Sequence, residues 1–462
     1  MSGPLPKLTP EQPPRSLYES AAKLYPRMAH GRYARLRLLA MFALLGLYYL
    51  LPWLQWKGQP LVLLDLPARR FHLFGTTLFP QDLVLLSALL AVAALTLFLF
   101  TTLAGRVWCG YACPQTVWTQ AFLWIERAIE GERHQRQKLD RAPWGARKIA
   151  IRGARHAAWI AFAAWTGLSF VGYFVPMREL ASDALHFSLG GWPLFWTLFY
   201  GFTTWGNAGF MREQVCKYMC PYARFQSAMF DRDTLIVAYD ERRGEPRKLI
   251  AKSSGKPAGD CIDCTLCVQV CPVGIDIRKG LQYECIACAA CVDACDEVMH
   301  RQQKPLGLIR YTSERRDQGG RFRLLRPRSI AYGAVWLALL AGFATLLLLR
   351  SPLELDVLRD RRQLYRELDD GRIVNLYTIK LTNKDANAHE FAVEAVAADG
   401  TQVELSPRSM RVAATETGSA LVAALLPHDK AGGVQTLQFT VRAVDDASLS
   451  REHDARFIGA TP

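Results

Sequence analysis

Eight of the chain's twelve cysteines fall into two runs of one design. Cys261, Cys264, Cys267 and Cys271, followed by Pro272, show the spacing Cys-x2-Cys-x2-Cys-x3-Cys, and Cys285, Cys288, Cys291 and Cys295 repeat it. Three thiolates this close in sequence can wrap one face of an iron–sulfur cubane, and in two-cluster ferredoxins the fourth cysteine of each run serves the other cluster. The pattern predicts one [4Fe-4S] cluster on Cys261, Cys264, Cys267 and Cys295 and a second on Cys285, Cys288, Cys291 and Cys271. Zinc, the competing reading, prefers two separated cysteine pairs. Asp296 stands where a second proline is expected, which predicts altered solvation near one cluster with all eight ligands intact.

The other four cysteines form two Cys-x-x-x-Cys-Pro motifs, Cys109 with Cys113 and Cys216 with Cys220. Spaced i and i+4, each pair is expected to share one helix face, ending at the proline. Three readings stay open: two pairs of buried structural thiols, a four-thiolate site holding a third iron–sulfur cluster, or a thiol site for a soft ion such as Cu(I). A regulatory disulfide is the weaker reading, because helical i, i+4 geometry strains the bridge.

These thiols must be positioned by membrane helices. Half of the 462 residues are hydrophobic, and runs 38–56, 83–105, 157–177, 187–211 and 329–349 contain no Asp, Glu, Lys or Arg. About 20 apolar residues cross a hydrocarbon core of about 30 Å, so five transmembrane helices are expected. Segments 1–37, 106–156 and 212–328 carry a net charge of +17 and the intervening ones −3, against +14 for the whole chain. That asymmetry is the positive-inside pattern, so the basic balance reports topology and implies no nucleic acid. The amino terminus is predicted to be cytoplasmic and the carboxyl terminus outside, in a multi-pass protein of the bacterial inner membrane. The first span is too long for a cleaved signal peptide. All twelve cysteines lie on or beside segments placed inside, as reduced metal ligands require.

The domain reading is 1–37, a cytoplasmic segment with a Pro-rich disordered start; 38–226, four spans with both Cys-x-x-x-Cys-Pro motifs; 227–328, a cytoplasmic two-cluster ferredoxin-like α+β domain; 329–349, the fifth span; and 350–462, a periplasmic all-β sandwich of immunoglobulin-like type. The four spans read as a parallel two-helix repeat, each half ending in a thiol pair. His72 is expected in an outer loop, and Trp118, Phe122 and Ile125 form a stripe for packing or the membrane surface. The sandwich rests on short alternating runs such as "IVNLYTIKLTN", "HEFAVEAVA" and "VQTLQFTVRAV" after a charged linker. No dinucleotide fingerprint, phosphate loop or C-x-x-C-H occurs, and none of the nine histidines lies within an uncharged run. His72, His186, Met177, Met211 and Met219 read as packing or surface residues. The intrinsic chemistry is one-electron transfer, with a donor from elsewhere.

In this order, the five spans, the two Cys-x-x-x-Cys-Pro pairs, the double ferredoxin run and the cysteine-free outer sandwich resemble the polyferredoxin family of the cytochrome c oxidase accessory protein CcoG, also called FixG or RdxA. The resemblance implies a cupric reductase that converts Cu(II) to Cu(I) for assembly of a cbb3-type oxidase. It implies copper ions, oxidase assembly factors or subunits, an unidentified electron donor and the lipid membrane as partners. The cluster role carries over to the eight ferredoxin cysteines and the reductive role to Cys109, Cys113, Cys216 and Cys220. An electron relay from quinol or a soluble donor to a separate reductase, and a non-catalytic assembly scaffold, are the alternatives.

Overall fold

The structure is a computed structural model. It describes residues 23–459 except 57, 249–251, 253–256 and 386, so the Pro-rich start lies outside the described residues. By internal contacts the chain divides into two units, Met1–Trp53 with Ala93–Trp336, and Leu54–Val92 with Leu337–Pro462.

The longer helices are α1 (Arg32–Leu50), α2 (Leu83–Ala104), α3 (Val107–Tyr111), α4 (Pro114–Glu130), α5 (Arg133–Arg141), α6 (Ala146–Val171), α7 (Met177–Leu185), α8 (Gly191–Thr204), α9 (Pro221–Met229), α10 (Ala290–Arg301) and α11 (Pro327–Leu348). Among the described residues three helical stretches, Arg32–Trp53, Pro80–Ala104 and Pro327–Leu348, are long and apolar enough to cross a membrane. The other two uncharged runs fall on α6 and α8 with different boundaries. α6 starts in the basic stretch at Ala146 and stops at Val171, and Met177 opens a separate short helix. α8 has 14 residues and passes into a π-helical stretch, Trp205–Met211, in which Gly206 and Gly209 weaken the regular ladder. α6 and α8 cross with their backbones in contact: a Cβ on Gly167 would lie 2.3 Å from the Thr197 carbonyl oxygen. Small residues permit such approach where no hydrophobic effect drives helices together.

The stripe on α4 is a packing surface. Phe122 is fully buried with Trp159, Ala163 and Ala208, and Trp118 and Ile125 border that cluster. The ferredoxin part is built on an antiparallel ribbon, Ile236–Tyr239 with Ile309–Thr312, paired from Ile236↔Thr312 to Tyr239↔Ile309. α10 lies in the same core, contributing Val292, Val298 and Met299.

The second unit corrects two expectations. The first uncharged run does not stay helical to its end, since Gln55–Trp56 pairs as a strand with Gln59–Pro60. The segment holding His72 is a three-stranded antiparallel sheet of Val62–Asp65, Arg70–Leu73 and Thr76–Leu78, with His72 Nδ1 3.0 Å from Thr77 Oγ1. The C-terminal region is all-β, with two sheets on one core. One runs Glu404–Ser406, Thr417–Pro427, Arg372–Asn383, Leu353–Arg359, and the other Ser409–Val412, His389–Ala397, Val434–Ala443, Ser450–Ile458. Tyr377, Phe391, Phe439 and Phe457 fill the space between them without exposure. The chain passes between sheets at Ser406 to Arg408, where Pro407 has no N–H to offer a ladder. Asp82 is buried in this unit and pairs with Arg350 at 2.8 Å and Lys384 at 3.0 Å, while Lys384 also reaches Glu354 at 3.0 Å.

Candidate functional site

The two ferredoxin runs fold alike residue by residue. In the first, Asp263 and Thr265 have φ of 59°, and in the second the corresponding Ala287 and Ala289 have 52° and 56°. Four non-glycine residues in the left-handed region are costly, by roughly 1–3 kcal/mol each, and persist only where the surroundings over-determine them. Alternating handedness makes the backbone concave with its N–H groups turned inward, a shape that receives anionic iron–sulfur centres.

Each concavity borders a cavity. The first is lined by Cys261, Cys264, Cys267 and Cys295, with Ile262, Leu266, Val298, Met299 and Ile309 among the apolar walls. The second is lined by Cys271, Cys285, Cys288 and Cys291 with Val273, Ile275, Ile277 and Ile286, and Cys267 borders it too. So Cys295 reaches the first run's cavity and Cys271 the second's, and the two cavities share a wall. Ligands of a cubane bind different irons and need not converge on a point; among the described residues no three Cys, His, Asp or Glu converge on a single ion position. Burial pushes the Cys267 and Cys271 thiols up to about 11 and those of Cys285 and Cys295 up to about 12. Iron binding at these thiols would take their thiolate form and release their protons. The apolar walls, the inward N–H groups and the donor set fit a [4Fe-4S] cluster in each cavity.

Acidic and basic residues hold the loops. Arg278 bonds Asp276 at 2.8 Å and also Asp263, the first left-handed residue. Asp296, in place of proline, sits in α10 and accepts the Gly307 N–H at 2.8 Å, tying the helix to the turn before the second ribbon strand. Cys264 is the exposed cysteine of the twelve, so the first cavity opens toward solvent at that ligand.

The Cys-x-x-x-Cys-Pro motifs depart from the expected single-helix face. Cys109 lies in α3, but Cys113 is extended (φ −62°, ψ 129°) and caps α4, with Pro114 as its first residue. Cys216 lies in a second π-helical turn, Val215–Met219, and Cys220 is extended (φ −79°, ψ 109°) and caps α9 before Pro221. A proline disfavours the α conformation in the residue before it, so both motifs break at the second cysteine. The two halves therefore match in local form as well as in layout. Burial first, and then Cys113, push Cys109 up to about 12; burial, Cys113 and Cys220 push Cys216 up to about 11. Cys109 and Cys113 thus each lie within electrostatic reach of a thiol of the other motif. Gln115 joins the halves by donating to the carbonyls of Asn207 at 3.0 Å and Arg212 at 3.1 Å.

This thiol layer abuts the second cavity. A Cβ on Gly110 would lie 2.7 Å from the Ile286 carbonyl oxygen and 2.9 Å from the Cys288 Cα, so α3 lies flush on that loop. Cys109 packs against the buried cluster that contains Ile286 and Cys288, against which Cys271, Cys285 and Cys291 also pack. Arg106, 5% exposed, donates to the carbonyls of Tyr283 and Ala223, linking ferredoxin loop and second motif. Tyr111 donates to the Cys288 carbonyl at 3.4 Å, and Tyr311 to the Ala287 carbonyl at 2.5 Å. Gln226, fully buried, accepts from the Cys109 thiol at 3.3 Å. Sequence reasoning missed Arg106, Gly110, Gln226 and both tyrosines. The signal available was their nearness to the cysteine motifs: Arg106 and Gly110 flank Cys109. Of the other residues, Met177 is buried against Val171 and Leu180, Met219 precedes Cys220 and is largely exposed, and exposed His186 lies 2.8 Å from the Ser182 carbonyl.

Comparison with known proteins adds the following. Residues 211–314 match a 4Fe-4S dicluster domain, 86–131 a 4Fe-4S binding domain, and 343–460 the IG-like fold at the C-terminal of FixG. The nitrogen fixation protein FixG of Rhizobium meliloti is 40% identical over 444 residues, covering 87% of this chain and 83% of that one. Protein RdxB of Cereibacter sphaeroides is 41% identical over 403 residues, covering 83% and 84%. A solved FixG-related protein from Vibrio parahaemolyticus is 24% identical, covering 24% of this chain and 98% of its own, with a TM-score of 0.21.

Proposed function

The chain belongs to the FixG/RdxA polyferredoxin family and is a membrane iron–sulfur electron-transfer protein, and from that premise we propose that it reduces Cu(II) to Cu(I) at its membrane-edge thiols for assembly of a cbb3-type oxidase. The observation that carries this reading is the seat of Gly110 on the loop of Ile286 to Cys288, which brings Cys109 against the second ferredoxin run. Cys261, Cys264, Cys267 and Cys295 would hold one [4Fe-4S] cluster, and Cys271, Cys285, Cys288 and Cys291 the other. Bound clusters supply one-electron transfer at low potential.

The residues divide the remaining work. Exposed Cys264 gives a one-electron donor outside the chain its approach. Cys267, in the wall between the cavities, keeps the two sites adjacent, and Gly110 keeps the thiol layer adjacent to the second. Cys109, Cys113, Cys216 and Cys220 bind the copper substrate. Each Cu(II) gains one electron, supplied in turn by the external donor, and soft thiolates hold the Cu(I) formed. Gln226 and Arg106 fix the layer's geometry. Five spans, a cytoplasmic ferredoxin domain and a periplasmic immunoglobulin-like sandwich complete the proposal, with the inner membrane as its location.

One observation favours a second reading. The match at residues 86–131 is described as a 4Fe-4S binding domain, and its cysteines are Cys109 and Cys113. On that reading the edge thiols hold a third cluster and serve a separate reductase. Anaerobic purification with metal counts separates the two: about eight irons per chain leaves these thiols for copper, and about twelve fills them. Cupric reduction should fall equally in Cys109→Ser/Cys113→Ser and Cys216→Ser/Cys220→Ser proteins that keep their ferredoxin iron, and the quadruple change should add little, as for residues acting as a unit. Full copper reduction in the quadruple protein would reject the thiol site.

A further inference from the structure

Away from the cysteines, a cavity of about 330 Å³ opens between α4, α6 and the π-helical stretch, bordered by Lys23, Glu126, Arg155, Trp159, Arg212 and Glu213. Its floor is a buried ionic network. Glu126 pairs with Arg212 at 2.7 Å, Arg136 at 3.6 Å and Arg155 at 4.0 Å, and Glu130 with Arg152 and Arg155, both at 2.9 Å. Four guanidiniums, none more than 13% exposed, thus face two carboxylates. Guanidinium does not lose its proton in proteins, so the excess cannot be relieved by titration. On the more open rim, Lys23 faces Asp140 at 2.7 Å and Glu213, which lowers the excess to one positive charge without cancelling it.

Three further features show the network incomplete. Arg155 Nε, on the cavity, is buried without a hydrogen-bond partner, as are Arg136 Nε and Glu130 Oε2 elsewhere in the network. Arg155 and Arg212 lie over the Trp159 ring at 4.5 and 5.6 Å, a contact that orients guanidinium planes without neutralising them. Burial first, and then Arg152, lower the Lys23 amine to about 8, the response of a half-buried amine beside an arginine. Uncompensated buried charge is costly and calls for a counter-charge.

We infer that this cavity binds the phosphate of an anionic phospholipid headgroup. A free phosphate offers the same oxygens, but the surroundings suit an acyl chain. Phe210 borders the cavity 55% exposed, and Ile160 and Trp165 stand exposed farther along α6. Basic pockets at helix ends are where headgroups of anionic lipids settle. A phosphate bridging Arg155 and Arg212 would also fasten α6 to the segment leading into the second motif, because Arg212 precedes Cys216 by four residues.

Native mass spectrometry of the full-length protein tests the inference, after transfer from nanodiscs of phosphatidylcholine alone or with phosphatidylglycerol. One phosphatidylglycerol should survive delipidation, with retention about tenfold weaker in Arg155→Gln, the scale of losing a hydrogen bond between charged groups. Arg155→Lys should retain more than Arg155→Gln. Glu213→Gln, which removes a rim negative charge, should retain more than the parent protein, and it decides the matter if Arg155→Gln fails to fold. Equal retention of phosphatidylcholine, or retention unchanged by all three variants, overturns the site. Inorganic phosphate displacing the lipid at equal concentration overturns the lipid as its occupant.

Discussion

Replacing Gly110 with alanine tests the contact on which the proposed route depends. The added Cβ would meet the Ile286 carbonyl oxygen at 2.7 Å, Cys288 Cα at 2.9 Å and Cys288 N at 3.0 Å. All three are backbone atoms of the second cluster's loop, so no side chain can rotate away. Restoring ordinary contact near 3.4 Å requires about 0.7 Å of separation between α3 and that loop. Overpacking of this kind costs about 1–3 kcal/mol, against about 1 kcal/mol gained from replacing a helical glycine. The difference is about 0–2 kcal/mol against the variant, and its middle, about 1 kcal/mol, loosens the seat roughly fivefold. Gly153→Ala on α6 meets open space within 4 Å and supplies the control, since it gains the propensity without the clash. The assay is anaerobic and uses iron-replete protein: electron paramagnetic resonance of the centre at Cys285, Cys288 and Cys291, and single-turnover reduction of Cu(II) read by a Cu(I) chelator. Gly110→Ala should shift that resonance and slow copper reduction, with dithionite reduction of the ferredoxin centres unchanged. Parental resonance and copper kinetics in Gly110→Ala would show that α3 does not rest on the loop, and the route through Cys109 would be lost.

Other expectations follow from separate features. Cys271→Ser should damage the centre at Cys285, Cys288 and Cys291 and spare the one at Cys261, Cys264 and Cys267, because Cys271 lines the second cavity; site-resolved spectroscopy showing the reverse would remove the crossed assignment. Reporter fusions after Gln59, Lys138, Asp183, Arg243 and Asp399 should read outside, inside, outside, inside, outside, and an inside reading at Asp399 would rule out the fifth span. In the sandwich, nearly buried His389 bonds Asp385 at 2.9 Å and Asp445 at 2.8 Å, and these carboxylates, Asp385 first, raise its pKa above the ordinary 6.5. The contribution is then complete below about pH 6.5 and is lost as pH rises through the folded-state value. Hydrogen exchange in His389–Ala397 of the full-length protein should accelerate across that interval, and a His389→Asn protein should show no such pH step.

What could be read from the sequence follows how local each constraint is. The ferredoxin runs were legible because a cubane sets the spacing of its ligands, and a general rule for paired runs sent Cys271 and Cys295 to opposite cavities. The long strands His389–Ala397 and Val434–Ala443 were legible from alternation. Ser450–Ile458, "SREHDARFI", was not, because it lies at a sheet edge and its inward pattern emerges only at Ala455 and Phe457. The break of each thiol motif could have been read from Pro114 and Pro221, which bar their preceding cysteines from helical geometry more strongly than i, i+4 spacing invites it. Arg106 and Gly110 stand beside a legible cysteine, yet their contacts could not be read, because their partners, Tyr283 and Ile286, lie more than 170 residues away. The buried network of Glu126 and Arg212 likewise joins α4 to the π-helical stretch, and each residue alone reads as an ordinary charge at a membrane boundary.

Asp82 gives the chain's synthesis an order. It leaves the ribosome with the three-stranded sheet, yet its partner Arg350 follows 268 residues later and Lys384 later still. Until both are made, the carboxylate has no cation to accompany it into the interior, and burying it alone is strongly unfavourable. Burial of Asp82 with its cations must therefore wait until the intervening helices and the ferredoxin part are translated and the chain has passed Lys384. A chain truncated before Lys384 would leave Asp82 with Arg350 alone and Glu354 without its cation, so the missing length would be felt at the unit's first-made part.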